Sequence, residues 1–287
     1  MDNKDLPALY EASNKISQDA QREFFFVFGL NLLCLSLAAV LSVFYVSDTT
    51  FIYIQIAVLL LSFGCTILIG VRLPEKSWYG GRALAESVKT LSWRFMVKAE
   101  PFNIDSDAAI ELFITKLKKI VDSNKEITKK SVKHSEGKEI TNLMLETRMK
   151  NLNERKDFYL KYRINNQLTW YRAKSKFNKK QSNIFFIAIC IFSIFAIASS
   201  IARINHPTTE HWPTDIFVAV IASLLGWNQA KKFRELSASY AQTVYEINLI
   251  KEQAILIKTE ENFSVFVGDA ENGFSREHTQ WIARRDI

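Results

Sequence analysis

Polar and apolar positions along this chain fall into separate blocks. Phe24–Val46 and Phe51–Val71 are apolar runs without a charged residue, and the polar break between them is only Ser47 to Thr50. A bilayer core of about 30 Å needs about 20 apolar residues at 1.5 Å per residue, which each run supplies. So short a break makes the two runs antiparallel neighbours, a transmembrane hairpin; a soluble helix of this length would carry a polar face. Ile184–Ala202 is a third run. The fourth, Ile216–Trp227, covers only about 18 Å, and is predicted to span within 215–230 because the charge pattern after it requires a return.

The segments between these runs carry helical patterns. Leu9, Ala12, Ile16 and Ala20 recur at helical spacing after Pro7, so the N-terminal segment and the first span form one rod. Arg72, Trp78 and Tyr79 after the second run have the composition of interface anchors. In Arg82–Lys98 Leu84, Val88, Leu91 and Phe95 form one stripe, with Arg82, Glu86 and Lys89 away from it; a helix packed on protein is expected over one lying on lipid headgroups, because Glu86 and Glu100 weaken the basic face. Ser106 is the expected cap of a helix to Ser123, with Asp107 and Glu111 early and Lys116, Lys118 and Lys119 late, as the helix dipole favours. Residues 125–137 read as a polar linker. The domain division is therefore 1–124, a linker, and 138–287. A charged helix then leads into the third span. From Asn228 to Val267 a heptad-like stripe of Phe233, Tyr240, Ile247 and Ala254 predicts one helix packed along others, broken at Gly268 and Gly273. Ser275 is expected to cap a final helix.

The halves resemble each other at an offset of 161: Tyr10 and Ala12 match Tyr171 and Ala173, Phe24 and Phe25 match Phe185 and Phe186, and Tyr79 matches Tyr240. Each half reads as entry helix, hairpin and exit helix. Duplication of this kind gives a pseudo-two-fold axis along the membrane normal. With 287 residues, 48% apolar, and only nine Gly and five Pro, the class is all-α: a helical integral membrane protein of two tandem hairpins and four spans, with long extramembrane helices. The first apolar run is too long, and too far inside the chain, for a signal peptide.

Charge sets the topology. Lys15, Arg22, Arg72, Lys76 and Arg82 flank the first hairpin, and Arg172, Lys174, Lys176, Lys179, Lys180, Lys231, Lys232 and Arg234 flank the second. The outer breaks hold little positive charge, so both termini are expected in the cytoplasm, the protein being multi-pass in a cell membrane. Between Arg72 and Ser182 there are 25 basic and 13 acidic residues. Topology and anionic headgroups account for that excess better than nucleic acid, which is not expected as a partner.

The sequence holds no Gly-rich phosphate loop, HExxH, CxxC or nucleophile elbow, so no catalytic residue, cofactor or metal site is assigned and no enzyme is expected. Cys34, Cys65 and Cys190 sit inside apolar runs, which excludes a disulfide framework. His206 and His211 read as loop residues, His134 as linker, and His278 as a surface partner of Glu277. Within the spans the polar residues are mild: Asn31, Gln55, Ser62, Thr66, Ser193 and Ser200. Gln55, Ser62 and Thr66 share a face, as do Ser193 and Ser200. Two readings stand: ordinary helix packing, or the wall of a pore that closes when subunits assemble. No buried charge in the spans marks an ion-coupled transporter.

Three motifs carry a resemblance. Tyr159-x3-Arg163-x3-Gln167-x2-Trp170-Tyr171-x2-Lys174 precedes the second hairpin, and Ser275-Arg276-Glu277-His278-x2-Trp281 closes the chain. Both resemble SLATT domains, the SMODS- and SLOG-associating two-transmembrane effectors of bacteria. Arg82 to Glu86, then Ser92-Trp93-Arg94 and Glu100-Pro101-Phe102, resembles the helix after the hairpin in another SLATT branch. The likeness covers nearly the whole chain as two units in tandem. It implies a homo-oligomeric pore effector of the bacterial inner membrane, acting in antiviral defence and abortive infection, with a nucleotide-signal enzyme or sensor as partner. The alternative is an adaptor or receptor whose spans only anchor it.

Overall fold

The computed structural model describes residues 2–43, 49–131, 136–206, 209 and 211–283, with the side chains of 3, 131 and 275–283 excluded. The expected outer-loop residues Ser47, Asp48 and Glu210, and His134, Arg284 and Arg285, lie outside that set. Among the described residues every regular element is helical. The order is α1 (Ala8–Val43), α2 (Thr49–Arg72), α3 (Pro74–Met96), α4 (Ser106–Ser123), α5 (Lys125–Ser131), α6 (Asn142–Met149), α7 (Leu152–Tyr159), a π turn over Leu160–Ile164, α8 (Asn165–Asn205), α9 (Thr214–Lys231), α10 (Phe233–Gln253) and α11 (Glu260–Ala283). The chain folds into two compact units. Unit 1 comprises Met1–Gln21, Glu75–Arg172 and Ala241–Ile287; unit 2 comprises Arg22–Pro74 and Ala173–Tyr240.

In unit 1 the start of α1 buries Leu9, Ala12, Ile16 and Ala20, and α3 buries Leu84, Val88, Leu91 and Phe95, so both predicted stripes are core faces. The two helices approach closely at Gly81, where a Cβ would stand 3.0 Å from the Ser13 carbonyl oxygen and 3.1 Å from the Ser17 nitrogen. Trp78, expected as an interface anchor, is instead buried in protein and stacked on Tyr79, and its carbonyl accepts from the Ser17 hydroxyl. α3 begins on Pro74, whose missing N–H costs nothing at a first helical position.

Several expected boundaries differ. Asp105, not Ser106, caps α4, its carboxylate accepting from the Asp107 N–H at 3.2 Å. The first half of the expected linker is a helix, α5, because Ile127 buries its side chain against Gly80. The charged helix after residue 138 is two helices: Asn151 and Glu154 form a capping box that starts α7 afresh. The helix expected over 228–267 is three. It breaks first at Lys232, in the left-handed region at φ 49°, and again before Thr259, whose hydroxyl accepts from the Asn262 N–H. Its stripe still holds, since Phe233, Ile247 and Ala254 are buried. α11 runs through Gly268 and Gly273, so neither breaks it and Ser275 is interior rather than a cap.

Unit 2 is built from antiparallel apolar helices. Along α1 and α2, Arg72 pairs with Glu23 at 2.8 Å, Ser62 with Asn31 at 2.6 Å, and Gln55 with the Ala38 carbonyl at 3.1 Å. α9 runs against α1: the Trp227 ring would stand 3.0 Å from a Cβ on Gly29, and the Ser223 and Ser36 hydroxyls are 2.9 Å apart. α8 runs against α9, with Ser199 bonded to Thr214 and Phe195 stacked on Phe217. Among the described residues three helices are long and apolar enough to cross a membrane: α1, α2, and the 54-residue run Leu152–Asn205 that contains α8. α9 is not among them. It has 18 residues, and Asp215, Asn228, Gln229 and Lys231 dilute its apolar run.

Candidate functional site

The motif residues Tyr159 and Arg163 meet inside unit 1 on a partner absent from the sequence reading. Glu271 of α11 is fully buried. Its Oε1 accepts from the Tyr159 hydroxyl at 2.9 Å and Arg163 Nε at 2.8 Å; its Oε2 accepts from Arg163 Nη2 at 2.7 Å and the Thr90 hydroxyl at 3.0 Å. This is a bidentate guanidinium–carboxylate pair, the strong form of such a contact. The π turn lies between the two donors: the Asn165 N–H reaches the Leu160 carbonyl, five residues back. A wider turn keeps residues four apart nearly in register, so Tyr159 and Arg163 point to one carboxylate. Arg163 Nη1 has no hydrogen-bond partner, and the guanidinium lies 4.7 Å from the Phe274 ring centre.

Burial works against the Arg163 charge, but the Glu271 carboxylate and its hydrogen bonds outweigh that and raise the pKa. Tyr159 is raised well above the ordinary phenol value, by burial first and then by Glu271. Around the pair, burial lowers Lys89 to about 8, against the pull of Glu86, and raises Tyr10 to about 12. The Lys89 ammonium lies 5.8 Å from the Tyr10 ring centre. With four donors on its two oxygens, Glu271 presents no free lone pair to a substrate. The cluster holds helices; it is not built to move a proton.

Trp93, Arg82, Gln167, Trp170 and Tyr171 also lie in unit 1. Trp93 is buried, its ring edge-on to Tyr159 at 5.6 Å. Arg82 lies 5.9 Å from the half-buried Trp170 ring and 4.0 Å from Glu86. Tyr171 is buried and edge-on to Trp170, and Gln167 is half-buried. The His278 and Trp281 side chains lie outside the described residues. Two further buried arginines were not anticipated. Arg148 donates to the carbonyls of Phe95, Phe102 and Ile104, and Arg155 donates to the Val97 carbonyl and pairs with Glu260. Arg94 completes the docking of α11 by donating to the Gly268 carbonyl and to Asn272. Little in the sequence marks these arginines: Arg155 sits in the polar stretch Leu152–Tyr159, and Arg94 lies off the Leu84, Val88, Leu91, Phe95 stripe. A pocket of about 560 Å³ at the start of α1 is lined by Lys4, Lys15 and Lys138 together with Glu11 and Glu136, so its charge is mixed.

The mild polar residues of unit 2 divide in two. Asn31, Ser62 and Thr66 are brought together across α1 and α2: Ser62 donates to Asn31 Oδ1, and Asn31 Nδ2 lies 3.5 Å from the Thr66 oxygen. Ser62 is buried, whereas Thr66 is exposed. Gln55 is committed to the α1 backbone. Ser193 and Ser200 are not joined to this group; each bonds a carbonyl of its own helix four residues back, and Ser200 is exposed. Cys34 and Cys65 are buried free thiols. Among the described residues no set of three His, Cys, Asp or Glu is placed to hold a metal.

Two family models match this chain in succession. Residues 7–156 match the SMODS and SLOG-associating 2TM effector domain 3, and residues 159–281 match the SMODS and SLOG-associating 2TM effector domain 1. The chain is a tandem SLATT protein. The second match begins at Tyr159, the first residue of the buried cluster. Each SLATT segment contributes to both compact units, since unit 2 takes 22–74 from the first and 173–240 from the second. The family description makes these effector domains with two transmembrane helices, which fits the apolar helices of unit 2. No curated protein and no solved structure matches the chain.

Proposed function

We propose that this tandem SLATT protein is an effector of a bacterial conflict system that assembles from several copies into a pore in the inner membrane. Opening perturbs the membrane and arrests or kills the cell, as in abortive infection, on a nucleotide signal or contact with a partner sensor. The observation that carries the reading is the apolar surface of unit 2. Phe26, Leu33, Tyr53, Leu60 and Phe63 on the first hairpin, and Phe186, Ile194 and Ile204 on α8, are all more than 60% exposed. So many large apolar side chains facing outward need lipid or other copies to cover them.

A single protomer has little room for a lumen when its helices pack 8–10 Å apart, so conduction requires several subunits closed about an axis along the membrane normal. All six candidate lining residues bond within the protomer, but only Thr66 and Ser200 are exposed. Thr66 and Ser200, exposed, are the hydroxyls best placed to face a lumen, with Asn31 beside Thr66. An uncharged lining of this kind conducts with weak selectivity and gates by dewetting.

The test is dye release from liposomes carrying the purified protein, with its activating nucleotide or partner identified by screening. Release by the parent and loss of release in Thr66→Leu/Ser200→Leu, with insertion and subunit number unchanged, is expected. Equal release by the double variant refutes this lining. A monomer that never leaks under any trigger refutes the pore and favours the anchored adaptor.

A further inference from the structure

One end of unit 2 carries far more positive charge than the other helices of the unit require. At that end Lys231 Nζ stands 3.3 Å from the Phe25 ring centre, Phe233 packs on Phe185 at 5.5 Å, and Arg72 reaches Glu23. Ser175 and Ser237 exchange hydroxyl-to-carbonyl hydrogen bonds of 3.0 and 3.1 Å, tying the stretch before the third apolar run to the stretch after α9. The fold thereby brings two basic segments, some fifty residues apart in sequence, to one level. Segments 173–185 and 231–237 together hold seven basic residues and one acidic residue, Glu235. The matching stretches of the first hairpin at the offset of 161, 12–24 and 70–76, hold four basic and three acidic residues, with Arg72 already paired to Glu23. Hairpin orientation needs only a modest Lys/Arg bias, which the first hairpin shows. The second carries a surplus.

The depth of that surplus is specific. Lys179 and Lys180 lie five and four residues before Ile184, and Lys231 and Lys232 lie four and five residues after Trp227. At 1.5 Å per residue this is about 6–8 Å beyond each apolar run. The headgroup layer, the difference between a 30 Å core and a 40–45 Å bilayer, is about 5–8 Å per side. Lys174, Lys176, Lys179, Lys180, Lys232 and Arg234 are exposed. Lys232 takes a left-handed backbone at φ 49°, uncommon for a residue with a side chain, and its turn keeps it exposed between α9 and α10. Lys231 rests against Phe25 and Trp227, an aromatic boundary of the kind found at membrane interfaces.

We propose that this end of unit 2 binds the phosphates of anionic lipid headgroups, with Lys179, Lys180, Lys232 and Arg234 as the contacting cations. The proposal rests on the membrane reading above and adds a lipid preference to it. Lys174 and Lys176, one turn further out, reach the same layer by extending their long side chains.

The test is lipid retention by native mass spectrometry of the full chain in detergent with equal amounts of phosphatidylglycerol and phosphatidylcholine. The parent should retain the anionic lipid about tenfold more, since each basic residue near a charged leaflet favours it severalfold. Lys179→Gln/Lys180→Gln/Lys232→Gln should bring the ratio near one with helicity and phosphatidylcholine retention unchanged. Inorganic phosphate at equal concentration should not compete. Equal retention by the parent, an undiminished ratio in the variant, or displacement by inorganic phosphate overturns the proposal. If the triple variant does not fold, the parent in about 1 M salt, where screening length falls to about 3 Å, serves instead: a preference that survives overturns it. Alkaline carbonate washing of proteoliposomes separates the two levels. A protein that washes off refutes the membrane reading, whereas one that stays embedded without lipid preference refutes only this proposal.

Discussion

Glu271→Gln is the sharpest probe of how α11 is held. The substitution keeps the side chain's shape and removes its charge, leaving Arg163 buried without a counter-ion and an amide N–H₂ facing guanidinium donors 2.7–2.8 Å from the acceptors they lose. Two unit charges about 4 Å apart at an effective dielectric of about 20 interact by about 4 kcal/mol. Removing one partner of a buried pair costs about 3–5 kcal/mol, and the two figures agree. In a unit of this size each kcal/mol moves the melting temperature by about 2–4 °C, so Glu271→Gln should melt at least about 6 °C lower in detergent, followed by far-UV ellipticity. Limited proteolysis should cut α11 first. The double variant Arg163→Met/Glu271→Leu removes both charges, and a buried pair replaced by apolar groups is often neutral or stabilising. It should therefore melt above either single variant. A loss under about 1 kcal/mol for Glu271→Gln, or a double variant no better than the worse single one, would refute the buried clamp.

Two other perturbations read the same unit. Gly81→Ala should destabilise by about 1–3 kcal/mol through overpacking against the backbone of Ser13 and Ser17, while Gly268→Ala, with nothing within 4 Å of the added Cβ, should stabilise by about 0.5–1 kcal/mol; chemical denaturation of both variants gives the contrast, and equal signs would show that α1 and α3 are not in close approach. Lys89 sets a pH dependence: its folded pKa of about 8 lies below the ordinary 10.5, so between those values the unfolded chain binds the extra proton and stability rises with pH. The gain from pH 7.5 to 9 should be about 1 kcal/mol and absent in Lys89→Met. Above pH 10 the trend reverses, because Tyr10 holds its proton to about 12 in the folded state; a parent whose stability is flat from pH 7.5 to 9 would refute the burial of Lys89.

Residue order alone reveals the apolar blocks, and with them the helices that can cross a membrane, because a run of charge-free residues about 20 long has one favourable environment. It determined the core stripes of α1, α3 and α10 for a similar reason: a helix buries whichever face its spacing makes apolar. It also carried the family, through short motifs whose order survives without any contact being known. Helix ends were less legible. Asp105 and Asn151 cap α4 and α7 through side-chain geometry that several neighbouring polar residues can supply equally well, and the glycines of α11 sit in a helix because packing and Arg94 hold it there. The partners of the charged residues come from the three-dimensional fold. Arg163 and Glu271 are 108 positions apart, and nothing local selects that acid over the others. Likewise nothing local selects Asn31 as the hydrogen-bond partner of Ser62. Pattern fixes which face of a helix is buried; the choice of neighbour depends on which distant donors and acceptors the fold brings within about 3 Å, where an unpaired buried group costs most.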